Sequence, residues 1–189
     1  MRIFIGIELN TEVRERAAAI AEALRIQLGQ RIDARWVPAA NLHITLWFIG
    51  EVTDDHAQEL LTALRPPFHE PSFDIHIAEL GAFPPSGAPR VIWLGVQSGG
   101  ERLVRLHAEL AARLRPHGIE PERRAYSAHL TIARVKDVPG DRGDVHLRAR
   151  FRALPAMAGH CRVAAVTVFR SRLSPKGAAY EPLLRVPLQ

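Results

Sequence analysis

Apolar positions alternate along residues 2–8, where Ile3, Ile5 and Ile7 mark a half-buried β-strand. Val13, Ala17, Ile20, Leu24 and Leu28 then recur at helical spacing, which predicts a helix capped by Thr11 and ending near Gly29. A second strand is expected over 42–49. Thr53, Asp54 and Asp55 open a helix whose apolar face is Ala57, Leu60, Leu61 and Leu64, and Pro66-Pro67 stops it. Strands at 73–80 and 90–96 flank the loop GAFPPSGAP. The Gly99-Gly100 pair reads as a turn leading into a third helix, marked by Leu103, Leu106, Leu110 and Leu114 and closed by Pro116 and Gly118. Further strands fall at 129–135, near 145–151, at 162–171 and around 180–186, with a polar loop at 137–144. About eight strands and three helices in hairpin-compatible order predict an α+β fold with antiparallel sheets. No linker or low-complexity stretch divides the chain, so residues 1–189 are expected to form one domain.

The pattern contains a repeat. Residues 43–48 read His-Ile-Thr-Leu-Trp-Phe and residues 129–134 read His-Leu-Thr-Ile-Ala-Arg, 86 positions later. Each copy follows an amphipathic helix, which suggests two related lobes facing one another. Strand side chains alternate between faces, so His43 and Thr45 share one face while Ile44 and Leu46 take the other. His129 and Thr131 stand in the same relation to Leu130 and Ile132. On this parity Trp47 joins Asn41, His43 and Thr45, and Phe48 points to the core.

Two imidazoles suit the opening of a phosphodiester, because one ring can be neutral and accept a proton while its partner is charged and donates one. Threonine hydroxyls on the same face can hold non-bridging phosphate oxygens. The rival is a metal site. The remaining histidines, His56, His69, His76, His107, His117, His146 and His160, form no H-x-x-x-H or H-E-x-x-H spacing. No Gly-rich phosphate loop appears, so neither a metal nor a cofactor is expected.

The net charge of +5 is unevenly spread. Residues 1–94 carry 8 basic and 12 acidic side chains, and residues 95–189 carry 17 and 8. All but two of the basic residues are arginine, the better fork for phosphate, and a basic half favours a polyanion such as RNA. The composition, 47% hydrophobic and 24% charged, is that of an ordinary folded domain. No apolar run reaches membrane-span length, and the start MRIFIGIELN reads as a strand, not a signal peptide. Cys161 is the one cysteine, more consistent with a structural thiol than a nucleophile, and it fits a reducing, cytoplasmic setting.

NLHITLWFIGEV (41–52) and YSAHLTIARV (126–135) resemble the paired motifs of the two-histidine phosphoesterase superfamily. Within it the chain is most similar to the RNA 2′,3′-cyclic phosphodiesterases, also called 2′-5′ RNA ligases. The stretches 81–96 and 169–183 fit that branch, including the tail from Ser171 to Tyr180. The resemblance implies a bilobal α+β fold in which two antiparallel sheets face a central cleft, with helices outside and a pseudo-two-fold repeat. It implies metal-free hydrolysis of RNA 2′,3′-cyclic phosphate to a 2′-phosphomonoester, with reversible 2′-5′ joining of tRNA halves in some members. By the same analogy His43 is the proton donor to O3′, His129 activates water, and Thr45, Thr131 and Arg134 bind phosphate.

Ala128 stands where the family usually has proline. Arg134 has the wrong parity to share a face with His129, and it reaches the cleft only where the strand bends or bulges; otherwise it is a surface arginine. Trp47 and Tyr126 are candidates for stacking on an RNA base, with packing as the alternative for each. The expected partner is an RNA end, with no membrane, and a monomer is expected. Two other readings remain open: a non-catalytic RNA-end binding module, and an enzyme of the same chemistry acting on a small cyclic nucleotide.

Overall fold

The computed structural model describes residues 1–122, 124–138, 150–151, 154–174 and 177–189. Nine strands run β1 (Arg2–Glu8), β2 (Asp33–Trp36), β3 (His43–Glu51), β4 (Phe73–Phe83), β5 (Val91–Ser98), β6 (His129–Asp137), β7 (Met157–Val163), β8 (Ala165–Ser174) and β9 (Gly177–Pro187). Among the described residues three long helices, α1 (Thr11–Leu28), α2 (Asp54–Leu64) and α3 (Gly100–Leu114), are threaded between them.

The strands lie in the order β7-β4-β5-β6-β3-β1-β8-β9, with β2 against the free edge of β6. The two halves of that order are alike about its centre: β5–β6 and β1–β3 are each an antiparallel pair whose connection carries a long helix, α3 and α1 respectively. The two expected sheets are therefore joined, and the joint is a single rung, Ile44 opposite Leu130. Beyond that rung β3 and β6 part, and β2 fills the β6 edge along Trp36↔Ala133 and Arg35↔Arg134.

Burial explains the joint. Ile44 and Leu130 are fully buried, and so are Ile3 and Ile5 on β1 and Leu103, Leu106, Leu110 and Leu114 on α3. The helix that follows β1 packs on β7 and β6 of the other half, and α3, which follows β5, packs on β3 as well as β5. Each long helix thus covers the seam and ties the halves together.

Several local expectations shift. The cap of α1 is Asn10, whose side-chain oxygen accepts the Val13 amide at 2.8 Å, so Thr11 is already the first helical residue. Asn10 also donates to the His160 carbonyl at 3.1 Å, pinning the helix start to β7. Thr53 caps α2 as expected. Gly99 leads into α3 at φ +76°, where a Cβ would lie 2.6 Å from the Asp74 carbonyl oxygen, so only glycine fits this turn. The short β2 was not expected, being only four residues long with charged Asp33 and Arg35 in it. The strand expected at 162–171 is the end of β7 and most of β8, separated at Ala164. Most of the strand placed near 145–151 and most of the loop at 137–144 lie outside the described residues; Arg150 and Phe151, at the end of that expected strand, are helical. Among the described residues, no helix is long and apolar enough to cross a membrane.

Replacing Ile44 by alanine is expected to cost about 2–5 kcal/mol, because the seam is packed on both sides and cannot collapse freely. Urea unfolding measures it; a loss below about 1 kcal/mol would show that the rung does not hold the halves together.

Candidate active site

His43 and His129 each open a strand, and each is anchored alike. The Nδ1–H of His43 donates to the Asn41 carbonyl at 2.7 Å, and that of His129 donates to the Ser127 carbonyl at 2.7 Å. A carbonyl only accepts, so Nδ1 carries the proton and Nε2 of the neutral ring is the basic nitrogen. Thr45 Oγ1 lies 3.0 Å from His43 Nε2. Because β3 and β6 meet antiparallel at Ile44–Leu130, His43 is carried toward Thr131 and Thr45 toward His129. Thr45 and His129 line one cavity. Asn41 donates its side-chain amide to the Ala178 carbonyl at 2.7 Å, which steadies the turn that holds His43.

Aromatic rings fix both imidazoles. Phe4 packs 4.7 Å from the His43 ring and Tyr180 meets it edge-on at 5.3 Å. Phe83 meets His129 edge-on at 5.0 Å, with Trp93 behind at 6.4 Å. Trp93 lies over Gly81, where a Cβ would come within 2.1 Å of the indole.

Just past each threonine the alternation breaks. Across β1–β3, Gly6 pairs with Thr45 and Ile5 with Trp47, so Leu46 is an extra residue. Across β5–β6, Trp93 pairs with Thr131 and Ile92 with Ala133, so Ile132 is extra. These bulges reverse the parity of everything downstream. Arg134 consequently turns to the cleft face, in one row with Val91 and Phe83. Phe48, expected in the core, is 49% exposed. Trp47, expected on the cleft face, is 5% exposed and stacked on His107 at 4.7 Å, yet it still lines the cavity that holds Thr45 and His129. His107 stacks in turn on Tyr126 at 4.6 Å, and the Tyr126 hydroxyl donates to the Thr45 carbonyl at 3.1 Å. Tyr126 is thus placed as a strut between the two motifs, with one ring face occupied.

A cavity of about 840 Å³ opens on the His129 side, lined by Thr45, Phe48, Phe83, Arg90, Tyr126 and His129 among others. A smaller one of about 140 Å³ lies on the His43 side, against Glu8, Asn41, Tyr180 and Arg185. The sequence reading missed Phe4, Phe48, Phe83, Trp93 and Arg90. The signal for Phe48 was present: Leu46-Trp47 and Ile132-Ala133 are consecutive apolar pairs that interrupt alternation.

Burial lowers the pKa of His43, and the Arg134 guanidinium and the His129 ring lower it further, against the hydrogen bond to Asn41. Burial likewise lowers His129, with Arg134 adding to the effect and the bond to Ser127 opposing it. One cation therefore acts on both rings. Cys161 is buried, and burial raises its thiol pKa, so it is no nucleophile here. Among the described residues, no group of three His, Cys, Asp or Glu side chains stands close enough to hold a metal ion.

Residues 11–173 match the 2′-5′ RNA ligase superfamily. The RNA 2′,3′-cyclic phosphodiesterase of Thermotoga maritima is 39% identical over 140 residues, spanning 74% of this chain and 72% of that protein. The protein of the same name from Archaeoglobus fulgidus is 32% identical over 183 residues, covering 97% and 98%. Escherichia coli LigT complexed with 3′-AMP shares the fold with a TM-score of 0.75 at 26% identity, over 99% of this chain and 97% of that one. The chain belongs to the 2′-5′ RNA ligase superfamily. Within it, its place is in the family of the RNA 2′,3′-cyclic phosphodiesterases.

Both folded-state pKa values lie below the unfolded value near 6.5, so the unfolded chain binds more protons as pH falls. Stability is full above that value and declines as pH drops through it toward the folded values. The His43→Gln protein is therefore expected to lose less stability than the wild type between roughly pH 7 and pH 5 in chemical denaturation. An equal loss would show that burial does not oppose charging of this ring.

Proposed function

We propose that the protein opens RNA 2′,3′-cyclic phosphate ends to 2′-phosphomonoesters by acid–base catalysis between His43 and His129. The observation that carries this reading is the matched anchoring of the two imidazoles, each with Nδ1 tied to the carbonyl two residues back, on strands that meet at the Ile44–Leu130 rung. The names of the relatives support the substrate class.

In this scheme Nε2 of His129 takes a proton from water, whose oxygen attacks phosphorus. The P–O3′ bond breaks and Nε2 of His43 gives its proton to O3′. His129 ends protonated and His43 neutral, and exchange with solvent resets them. Thr45 and Thr131 donate to non-bridging oxygens, and Arg134 offsets charge that grows in the transition state. The depressed pKa values leave both rings mainly neutral near pH 7 in the free protein, so the acid must be loaded. The anionic cyclic phosphate does this, because a nearby negative charge raises an imidazole pKa.

The cavity beside His129 is in the size range of a small-molecule site. It suits a parallel reaction as well, in which an RNA 5′-hydroxyl stands where water would, the P–O3′ bond breaks with O3′ protonated, and a 2′-5′ linkage results, as in the joining of tRNA halves. The chemistry needs no metal in this reading.

Alanine at either histidine is expected to lower the rate on a cyclic-ended oligonucleotide by about 10²–10⁴, and the double variant to be little worse, since the rings act as a unit. Two single variants with wild-type rates would sink the assignment. A chelator such as EDTA should leave the rate unchanged; a loss restored by divalent metal would refute the metal-free route. The kcat/KM profile should be bell-shaped and centred below pH 6.5, as both free-enzyme pKa values are lowered. Product analysis should give a 2′-phosphate, and a 3′-phosphate would reverse the roles of the rings.

A further inference from the structure

Arg35 of β2 stands directly opposite Arg134 of β6. Cross-strand partners share a face, with Cβ atoms about 4.5–5.5 Å apart, and like charges so placed repel. Both side chains are exposed, and among the described residues neither has a carboxylate partner. The acid nearest in sequence, Asp33, sits 3.6 Å from Lys136 instead. The guanidinium of Arg35 extends toward β9, where Nη2 lies 3.2 Å from the point a Cβ on Gly177 would occupy. Two guanidinium forks on one rung, with no carboxylate partner among the described residues, are suited to sharing an anion's charge.

Their position indicates which anion. The bulge after Thr131 turns Arg134 to the face that carries His129, and its charge acts on both imidazoles, so in the scheme above it flanks the reacting phosphate. Arg35 is one strand further out, on the segment that leads through the turn at Asn41 into His43. In the scheme above, His43 faces the departing O3′, so the ribose of the terminal nucleotide lies on that side. The next phosphodiester along the RNA hangs from that ribose. We propose that Arg35, one rung across from the Arg134 that serves the reacting phosphate, binds this phosphodiester and thereby makes the enzyme select a polynucleotide end over a mononucleotide. Planar guanidinium matches phosphate oxygens two at a time, which suits arginine to the task. The inference rests on the acid–base scheme for its direction.

The test compares cytidine 2′,3′-cyclic phosphate with a six-nucleotide RNA ending in the same group. Arg35→Gln is expected to reduce the ratio of kcat/KM, hexamer over mononucleotide, about tenfold, chiefly through the KM of the hexamer. It should also weaken the salt dependence of hexamer binding by roughly 0.7 of a counterion. Arg35→Lys, which keeps the charge but not the fork, should fall between. An unchanged ratio, or an equal loss on both substrates, would overturn the proposal. Relief of like-charge repulsion means Tm should not fall in Arg35→Gln, so unfolding cannot imitate the effect. If the wild type opens neither substrate, the acid–base reading fails, and Arg35 is judged by fluorescence anisotropy on a hexamer with a terminal 3′-phosphate. A roughly tenfold weaker Kd in Arg35→Gln then sustains the phosphodiester site, and an unchanged Kd refutes it.

Discussion

The site exists because two strands touch at one rung and then separate. A longer β3–β6 ladder would close the sheet and bury the inner edges; with no ladder the halves would lack a fixed distance. One hydrophobic pair, Ile44 and Leu130, meets both needs. It sets the two histidines one residue to either side of a shared pivot, so their spacing depends on backbone geometry and not on long flexible side chains. Helices laid across the seam from both halves keep that pivot rigid.

The polar chemistry is held by equally short connections. Each imidazole is oriented by a main-chain carbonyl two residues earlier on its own chain. Such an anchor costs no distant partner and forms as soon as the strand does. Aromatic rings then desolvate the imidazoles, which depresses their basicity and leaves them responsive to an incoming anion. In the proposed scheme such a site is quiet when empty and becomes an acid–base pair through the charge of what binds.

Much of this was legible in the residues. The doubled His-x-Thr pattern identified the strands, their faces and the duplication, because period-two alternation is a local property that survives folding. The helices were legible from their leucine stripes. Parity beyond Thr45 and Thr131 was not, because one extra residue in each strand inverts it; Trp47 is packed and Phe48 exposed for that reason, and Arg134 turns to the cleft face. The α1 cap was misplaced by one residue because Asn10 and Thr11 are both good caps, and only the tie to His160 distinguishes them. Phe4, Phe83 and Trp93 come from strands remote in sequence from the motifs, and nothing local marks them as walls of the cleft.

The bulges have one further effect. They bring Phe48 and Arg134 to equivalent places in the two halves, yet one is an apolar ring and the other a permanent cation. A faithfully duplicated cleft would accept a nucleic acid end in either of two opposed orientations with equal free energy. This mismatch removes that degeneracy, so a frame built by repetition acquires a sense of direction along the strand it holds.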